Sequence, residues 1–465
     1  MKAGISTVLL IACSILSGFS QDLLGLWNGT AKSPDNKEIT FVFLFENGQD
    51  GYTTTMAVPT FEVSGIKPKA TTLKEGKLFI DGSNLGMKYE GTFNESTQQI
   101  EGTYTEGGMV LTLALNKGNL IIEVPNRPQE PVKPYPYYEE EVVFENKEAN
   151  LSLSGTLTRP DKNGEFSVVI LISGSGPQDR DESWKMHKPF WVLADYLTRQ
   201  GLAVLRYDDR GFGKSTGDHS AATTEDFAKD VLSAIDYLKT RTDINSKQIG
   251  LIGHSEGGII APLAANQTED VAFIVLLAST GIPGSELSVM QAKSFRPFPV
   301  PDEAAFEQHV RIAIKIAASD QEISLIKTAL KQHHESYLVP LLKSLGVPEQ
   351  NIAKLIADEI EDSVKPWRRY FFNYNPADEI EHLAMPVLSL NGSKDTQVEA
   401  KINQEGIRNA LIKANNKDYK IVELENLNHL FQECETGEIS EYKKIEQTIS
   451  PIALEEISTW ILVRL

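Results

Sequence analysis

Three residues, Ser255, Asp395 and His429, have the side chains and the chain order that nucleophilic hydrolysis requires. A serine hydroxyl attacks poorly at neutral pH unless a nearby base removes its proton, and a carboxylate orients that base. Ser255 lies in the sequence G-H-S-E-G at 253–257, where the two glycines permit a tight strand-to-helix turn that projects the hydroxyl. Because such short patterns also occur in ordinary glycine-rich turns, the surrounding elements have to support the assignment.

The candidate acid and base each follow an apolar run. Asp395 comes after residues 385–390 and His429 after residues 419–424, so both can lie at one edge of a parallel sheet. The order Ser, Asp, His is the one expected for an α/β-hydrolase. His429 could instead be a surface histidine, and Asp395 could cap the following turn. In that case the acid would be Glu399, Glu423 or Glu425.

Hydrolysis also needs N–H groups aimed at the negative oxygen that develops in the transition state. The backbone N–H of Glu256, directly after the serine, is one candidate donor. The second is assigned to Ser175, with Gly176 as the alternative, because both lie in the glycine-rich loop 173–177 after a predicted strand. A simple glycine-rich turn is the competing interpretation of this loop.

Strand and helix patterns alternate over residues 138–465, where the three residues lie. β-branched apolar runs between amphipathic stretches predict a mostly parallel sheet with helices on both faces. The predicted strands are 139–144, 149–156, 166–172, 202–207, 248–252, 271–278, 385–390 and 419–424. The predicted helices are 184–199, 224–241, 399–414 and 451–463.

A long helical pattern at about 284–383 interrupts the alternation and includes predicted helices at 302–318 and 349–362. Insertions at the carboxyl edge of a parallel sheet border the ligand crevice, so this segment is predicted to form a helical cap. Its aromatic stretch 365–374 could line a substrate pocket or form the core of the cap.

The first part of the chain has a different pattern. Residues 21–124 contain short alternating runs separated by turn signals, which predict an antiparallel β domain that closes as a small barrel or sandwich. The runs are 39–45, 52–58, 77–80, 87–93, 99–104, 109–115 and 120–124. The domain could bind a ligand in its interior or be a packed accessory domain. Residues 125–137 are rich in proline and predict a semi-rigid linker.

Composition limits the location and the partners. The apolar stretch 5–16 is too short to span a membrane and predicts a signal peptide, residues 1–20, that is cleaved after Ser20; a lipid anchor on Cys13 is the alternative. After cleavage at Ser20, Cys434 alone remains, so no internal disulfide is expected.

The net charge of -19 disfavours nucleic acid and anionic membrane surfaces as partners. Stable membrane insertion, a metal and a cofactor are not expected, and no oligomeric state is predicted.

Three motifs together resemble a known family. They are G-S-G-P-Q-D-R-D-E at 174–182, L-R-Y-D-D-R-G-F-G-K-S at 205–215 and the glycine-flanked serine at 253–258. In this order they are similar to bacterial α/β-hydrolases of the EstD-like esterase group, which are also labelled serine aminopeptidase-like. The resemblance covers about residues 137–465 and implies carboxylesterase activity with Ser255, Asp395 and His429 as the triad. The β domain more weakly resembles an accessory domain of some such hydrolases.

The sequence therefore predicts an exported serine carboxylesterase, periplasmic or extracellular, that acts on a small-molecule ester through an acyl-enzyme. One alternative is a serine peptidase or amidase with the same machinery. A cap acid such as Asp358, Glu361 or Asp362 would then hold the substrate's ammonium group. A second alternative is a ligand-binding protein whose hydrolase fold is vestigial.

Overall fold

The computed structural model describes residues 23–33, 38–48, 51–61, 63–94, 96–106, 109–118, 126–296 and 298–465. The chain divides into two compact units, Met1–Val124 and Pro125–Leu465. The predicted signal peptide, residues 1–20, and the predicted strand 120–124 lie outside the described residues.

The first unit is an antiparallel barrel. Its strands are β1 (Gly25–Lys32), β2 (Glu38–Gly48), β3 (Gly51–Val58), β4 (Val63–Ile66), β5 (Ala70–Lys74), β6 (Lys77–Gly82), β7 (Met87–Asn94), β8 (Gln99–Glu106) and β9 (Met109–Lys117). Eight of them follow the order β2-β1-β9-β8-β7-β6-β5-β3, and pairing of β3 with β2 closes the ring. The short strand β4 pairs with β3 farther along. β1, β4 and β5 were not among the predicted runs, because glycines and polar residues obscure their alternation.

Aromatic side chains fill the interior of this barrel. Phe41, Phe43 and Phe45 alternate along β2 and are buried together with Tyr89 and Tyr104. The Tyr89 hydroxyl lies 3.0 and 3.1 Å from two backbone carbonyl oxygens, so its polar end is satisfied inside the apolar core. This packing favours the accessory-domain interpretation over a ligand-holding interior.

The predicted linker belongs to the second unit and is bonded to it. The Arg127 guanidinium donates to the backbone carbonyls of Met186, Lys443 and Ile445. The Gln129 side chain accepts hydrogen bonds from two backbone N–H groups of residues 448 and 449. From residue 126 onward this segment is therefore held on the second unit by specific contacts.

The second unit is built on an eight-stranded sheet. Its strands are β10 (Tyr138–Asn146), β11 (Leu151–Arg159), β12 (Phe166–Ile172), β13 (Ala203–Tyr207), β14 (Ile244–His254), β15 (Val271–Leu277), β16 (Val387–Gly392) and β17 (Tyr419–Leu424). Their order is β10-β11-β13-β12-β14-β15-β16-β17. β10 pairs with β11 and β11 with β13 in the antiparallel sense, and the remaining pairs are parallel. The predicted mostly parallel sheet is confirmed.

Helices cover both faces of the sheet and form the insertion. They are α1 (Pro189–Arg199), α2 (Thr224–Lys239), α3 (Gly257–Ala265), α4 (Gly284–Phe295), α5 (Glu303–Ala317), α6 (Ile323–Ser344), α7 (Glu349–Ser363), α8 (Pro366–Asn373), α9 (Pro376–Ile380), α10 (Ala400–Lys413), α11 (Ile439–Tyr442) and α12 (Pro451–Leu462). α4 to α9 stand between β15 and β16, where the cap was predicted. α1 begins later than expected, because Trp184 and His187 form an isolated β-bridge before Pro189 starts the helix.

Separate apolar cores stabilise the sheet and the cap. α2, α3 and α10 contribute to the core on one face of the sheet, and α1 and α12 to the core on the other. The cap has a core of its own, which includes Ile326 and Leu330 of α6 and Ile352 and Ile356 of α7. Within the part of the chain that the structure describes, no helix is long and apolar enough to cross a membrane.

Two histidines are buried within the cap. His309 of α5 and His334 of α6 face each other with 3.2 Å between ring nitrogens, and His333 and Tyr337 stack on the His309 ring. Burial, together with the neighbouring histidines, lowers the pKa of His309 to about 3, and burial and His333 lower that of His334 to about 4. Both rings are therefore neutral at physiological pH.

We expect the cap to lose stability in mild acid. In an unfolded chain these imidazoles bind protons near pH 6.5, whereas in the fold they do so only near pH 3 to 4. As pH falls through this window the unfolded state binds more protons, so the free energy of unfolding decreases. Native-state hydrogen exchange of α5 and α6, corrected for intrinsic rates, measures their free energy of opening as a function of pH. In His334→Gln the slope of this free energy against pH should fall by the contribution of roughly one proton. The exposed His382→Gln should leave the slope unchanged. Equal slopes for His334→Gln and the parent would contradict this account.

Candidate active site

Ser255 lies on a sharp turn between β14 and α3. Its φ of 53° is in the left-handed region, which a side chain adopts only when its surroundings enforce it. The flanking glycines make this possible: a Cβ on Gly253 would lie 2.0 Å from the Gly257 carbonyl oxygen, and one on Gly257 would lie 2.1 Å from the Ile172 oxygen. The Ser255 N–H donates to the Leu277 carbonyl at 2.8 Å, which ties the turn to β15.

The Ser255 side chain is only partly buried. Among the described residues, His429 is hydrogen-bonded to Asp395 but not to the Ser255 hydroxyl. The neighbouring Gly174, on the loop after β12, faces it so closely that a Cβ there would lie 3.2 Å from the Ser255 Cβ. The loop after β12 therefore packs directly against the serine turn.

Asp395 and His429 lie side by side at the edge of the sheet. His429 Nδ1 lies 2.7 Å from Asp395 Oδ2, and both side chains are buried. The other carboxylate oxygen accepts the N–H groups of Gln397 and Val398, each at 2.8 Å. An ionised carboxylate only accepts, so Nδ1 carries the proton and Nε2 is left with its lone pair. The alternative acid Glu399 caps α10 through two backbone N–H groups, and Glu423 and Glu425 are exposed.

The loop that carries His429 contacts the residue next to the serine. His254 Nε2 lies 3.0 Å from the His429 carbonyl oxygen, and the centres of the two rings are 4.8 Å apart. This contact joins the ends of two separate strands, because His254 ends β14 whereas His429 follows β17. The candidate base is thereby held beside the serine turn.

The predicted oxyanion donors lie around the same turn. The Glu256 N–H is at the N-terminal end of α3, where the helix dipole favours negative charge. Within the described residues, the N–H groups of Glu256, Ser175 and Gly176 have no hydrogen-bond partner, whereas the Gly174 N–H is bonded to Glu182 at 2.7 Å. Glu256 with either Ser175 or Gly176 can therefore bind a negative oxygen.

The Glu256 side chain links this turn to the cap. Its carboxylate is buried and accepts hydrogen bonds from Thr224 at the start of α2 and from the Trp367 indole of α8 at 2.6 Å. It also forms a hydrogen bond with the Ser175 side chain. Burial raises the pKa of Glu256 above its ordinary value, although these donors oppose the shift. One side chain thus connects the oxyanion loop, the serine turn and the cap.

The motif at 205–215 braces the oxyanion loop. Asp208 forms an ion pair with Arg180, and Asp209 accepts from the Ser173 hydroxyl at 2.7 Å and the Gln178 N–H at 2.9 Å. Burial raises the pKa of Asp209 well above its ordinary value. Both aspartates therefore serve the loop that carries the oxyanion donors, as expected for a buried polar network. Among the described residues, no group of three or more His, Cys, Asp or Glu side chains could hold a metal ion.

Comparisons with known proteins agree with this architecture. The sequence profile of a hydrolase family described as serine aminopeptidase, S33, matches residues 184–300. The chain is 25% identical to Esterase EstD of Thermotoga maritima over 332 residues, which is 70% of each chain. The chain has the α/β-hydrolase fold.

Two further similarities are more limited. This α/β-hydrolase is 31% identical over 135 residues to the uncharacterized protein YfhR of Escherichia coli O157:H7, which covers 25% of this chain and 46% of that protein. The esterase Pf2001 of Pyrococcus furiosus has a TM-score of 0.45 and 17% identity, over 73% of this chain and 97% of that one. The EstD-like group was the family that the three sequence motifs predicted.

Three site residues of this α/β-hydrolase were not predicted from its sequence. Glu182 and His254 form a hydrogen-bonded pair behind the candidate triad, and Trp367 reaches Glu256 from the cap. Glu182 and His254 stand inside the motifs that carried the family resemblance, and Trp367 lies in the aromatic stretch of the cap. Their positions in these motifs and in this stretch were the available sequence signal. Their hydrogen-bond partners could be identified only from the structure.

We expect the glycines of the turn to differ in their tolerance of a methyl group. Gly253→Ala places a Cβ against a backbone oxygen 2.0 Å away and should lower the free energy of unfolding by roughly 3 kcal/mol or more. In Gly174→Ala the nearest atoms are side chains at 3.2 Å, so the cost should stay below about 1 kcal/mol. Urea unfolding followed by helical circular dichroism measures both. Equal stability of the two variants would refute the steric explanation of the turn.

Proposed function

We propose that this α/β-hydrolase is an exported serine carboxylesterase that uses Ser255, His429 and Asp395 as a catalytic triad. The observation that carries the proposal is the hydrogen bond of 2.7 Å between Asp395 and His429, on a loop that contacts the residue beside Ser255. The N–H groups around the Ser255 turn support it. The similarity to Esterase EstD points to the same chemistry.

In the first half-reaction His429 Nε2 removes the Ser255 proton while the serine oxygen attacks the ester carbonyl. The carbonyl oxygen becomes negative and is bound by the Glu256 N–H together with that of Ser175 or Gly176. Asp395 stabilises the imidazolium that forms. Collapse of the tetrahedral intermediate breaks the ester bond, and His429 gives its proton to the departing alkoxide. The products are the alcohol and an ester of Ser255.

In the second half-reaction His429 removes a proton from water, which attacks the acyl-enzyme carbonyl. The same N–H groups bind the second negative oxygen. When this intermediate collapses, His429 returns the proton to the Ser255 oxygen and the carboxylic acid leaves. Both steps need a neutral His429 at the start.

A serine peptidase or amidase is the second candidate, favoured by the match to the serine aminopeptidase family. An aminopeptidase needs a carboxylate that is free to bind the substrate's ammonium group. The proposed cap acids are paired instead: Glu361 binds Lys327, Asp358 binds Lys354, and Asp362 binds Lys365 and Arg368. Glu256 is satisfied by neutral donors. These contacts leave none of the three proposed cap acids free to bind a substrate's ammonium group.

A vestigial hydrolase fold that serves ligand binding has less support. Such a protein needs no ordered acid and base, yet Asp395 and His429 are buried and hydrogen-bonded to each other. The filled interior of the β barrel also offers no support for a ligand role there.

We expect Ser255→Ala to abolish the hydrolysis of p-nitrophenyl acetate and butyrate. Loss of the nucleophile should lower kcat by at least about 10³-fold, because only the oxyanion donors and substrate binding remain. The matched control is Ser344→Ala at the exposed end of α6, which should retain the parent's activity.

A parent that hydrolyses aminoacyl p-nitroanilides much faster than these esters would replace the esterase proposal with the amidase one. Ester hydrolysis that survives in Ser255→Ala would reject Ser255 as the nucleophile. Inactivity of the parent toward both classes would move the assignment to the binding alternative.

We expect the protein to be exported and cleaved after Ser20. The apolar stretch 5–16 and the small residues after it are typical of a secretory signal. Expression of the full chain in a bacterial host, followed by N-terminal sequencing of the exported protein, should give Gln21 as the first residue. An N-terminus at a lipid-modified Cys13 would indicate a lipoprotein instead, and an uncleaved protein in the cytoplasm would contradict export.

A further inference from the structure

A second histidine is buried behind the proposed triad. His254 Nδ1 lies 2.8 Å from Glu182 Oε1, and its Nε2 lies 3.0 Å from the His429 carbonyl oxygen. The same Glu182 oxygen accepts the Gly174 N–H at 2.7 Å. Glu182 and His254 are 3% and 6% exposed, so water contributes little to satisfying these polar atoms. The loop after β12 and the loop after β17 therefore meet at one imidazole.

The hydrogen-bond partners constrain the protons on this imidazole. The His429 carbonyl can only accept, so His254 Nε2 must carry a proton. An ionised Glu182 also only accepts, so Nδ1 must then carry a second proton and the ring is an imidazolium. The alternative is a neutral ring whose Nδ1 accepts from a protonated Glu182. The two arrangements share the same heavy-atom positions and differ in the location of one proton.

The surrounding charges favour the imidazolium. The groups that face His254 are Glu182 after β12, Asp395 after β16 and His429 after β17. Burial alone would lower the pKa of His254, but the Glu182 carboxylate, the two hydrogen bonds and the Asp395 charge raise it above its ordinary value. An imidazole is also the stronger base of the pair in water, which places the shared proton on the ring.

We propose that His254 is a buried imidazolium, held by Glu182, that positions both the oxyanion loop and the base loop against Ser255. This inference rests on the proposed esterase function, because positioning has meaning only for that reaction. His254 immediately precedes Ser255 in the chain. Through Glu182 it fixes Gly174, next to the candidate donor Ser175, and through its own Nε2 it fixes the backbone of His429. Neither residue touches the substrate.

The charge has a second effect on the base. With ring centres 4.8 Å apart, a cation at His254 disfavours a second positive charge on His429. Transfer of the Ser255 proton requires His429 in its neutral form. The adjacent Asp395 offsets part of this repulsion when His429 becomes charged during the reaction.

The protonation state can be measured without turnover. We would record ¹⁵N imidazole spectra of the full-length Ser255→Ala protein near neutral pH, with His254→Gln in the same background to assign the His254 signals. Both His254 nitrogens should be protonated. His187 is the internal control: it is also buried, between Thr448 and the Tyr442 carbonyl, and burial lowers its pKa to about 4. It should carry one proton.

Kinetics test the positioning role. In Glu182→Gln at least one of the three hydrogen bonds is lost, so kcat for p-nitrophenyl butyrate should fall about 10- to 100-fold with little change in KM. Glu182→Asp, which keeps the carboxylate, should recover part of this loss. The acid limb of the kcat/KM profile should move to higher pH in Glu182→Gln, because the cation beside the base is gone. The exposed His382→Gln is the control and should match the parent.

Two results would overturn the proposal. One is a neutral His254 with the proton pattern of His187. The other is a folded Glu182→Gln protein whose kcat and pH profile equal those of the parent. Failure of the esterase proposal looks different, since the parent itself would then be inactive on esters while the imidazole spectra would still report the state of His254.

Discussion

The structure around the site depends on one steric constraint, the left-handed turn at Ser255. The turn requires Gly253 and Gly257 to pack directly on backbone oxygens, with no room for a Cβ. This close packing fixes the end of β14, the start of α3 and the carbonyl of Ile172 at the end of β12 relative to one another. Because β12 leads into the oxyanion loop, the constraint that exposes the serine hydroxyl also sets the position of its electrostatic partners.

Polar side chains then connect the cap and the His429 loop to this turn. Glu256 joins it to the cap through Trp367, and His254 joins it to the loop of His429. Both residues are direct neighbours of Ser255 in the chain, so the two connections begin at the most constrained point of the fold. A buried carboxylate and a buried imidazole are costly unless fully hydrogen-bonded, and here their partners belong to the proposed active site.

Much of this arrangement could be predicted from the sequence. Strand β17 lies at the predicted residues 419–424, and the cap helices α5 and α7 begin and end within a residue of the predicted limits, because apolar periodicity and flanking polar residues are local signals. The longest cap helix, α6, was not predicted. The placement of Asp395 beside His429 follows from strand order. The pairing of Glu182 with His254 could not be predicted, since it joins loops whose approach depends on the whole sheet. Strands β4 and β5 were missed because they are short and have few apolar residues.

The contacts of Arg127 and Gln129 indicate that the second unit begins before its first strand. Arg127 satisfies three backbone carbonyls, of residues 186, 443 and 445, and Gln129 satisfies two N–H groups near residue 448. A protein cut at the first strand of the sheet would leave these groups without their partners. The proline-rich segment is thus an N-terminal arm of the α/β-hydrolase unit. A recombination that replaced the barrel by another domain would have to keep the chain from residue 126 onward.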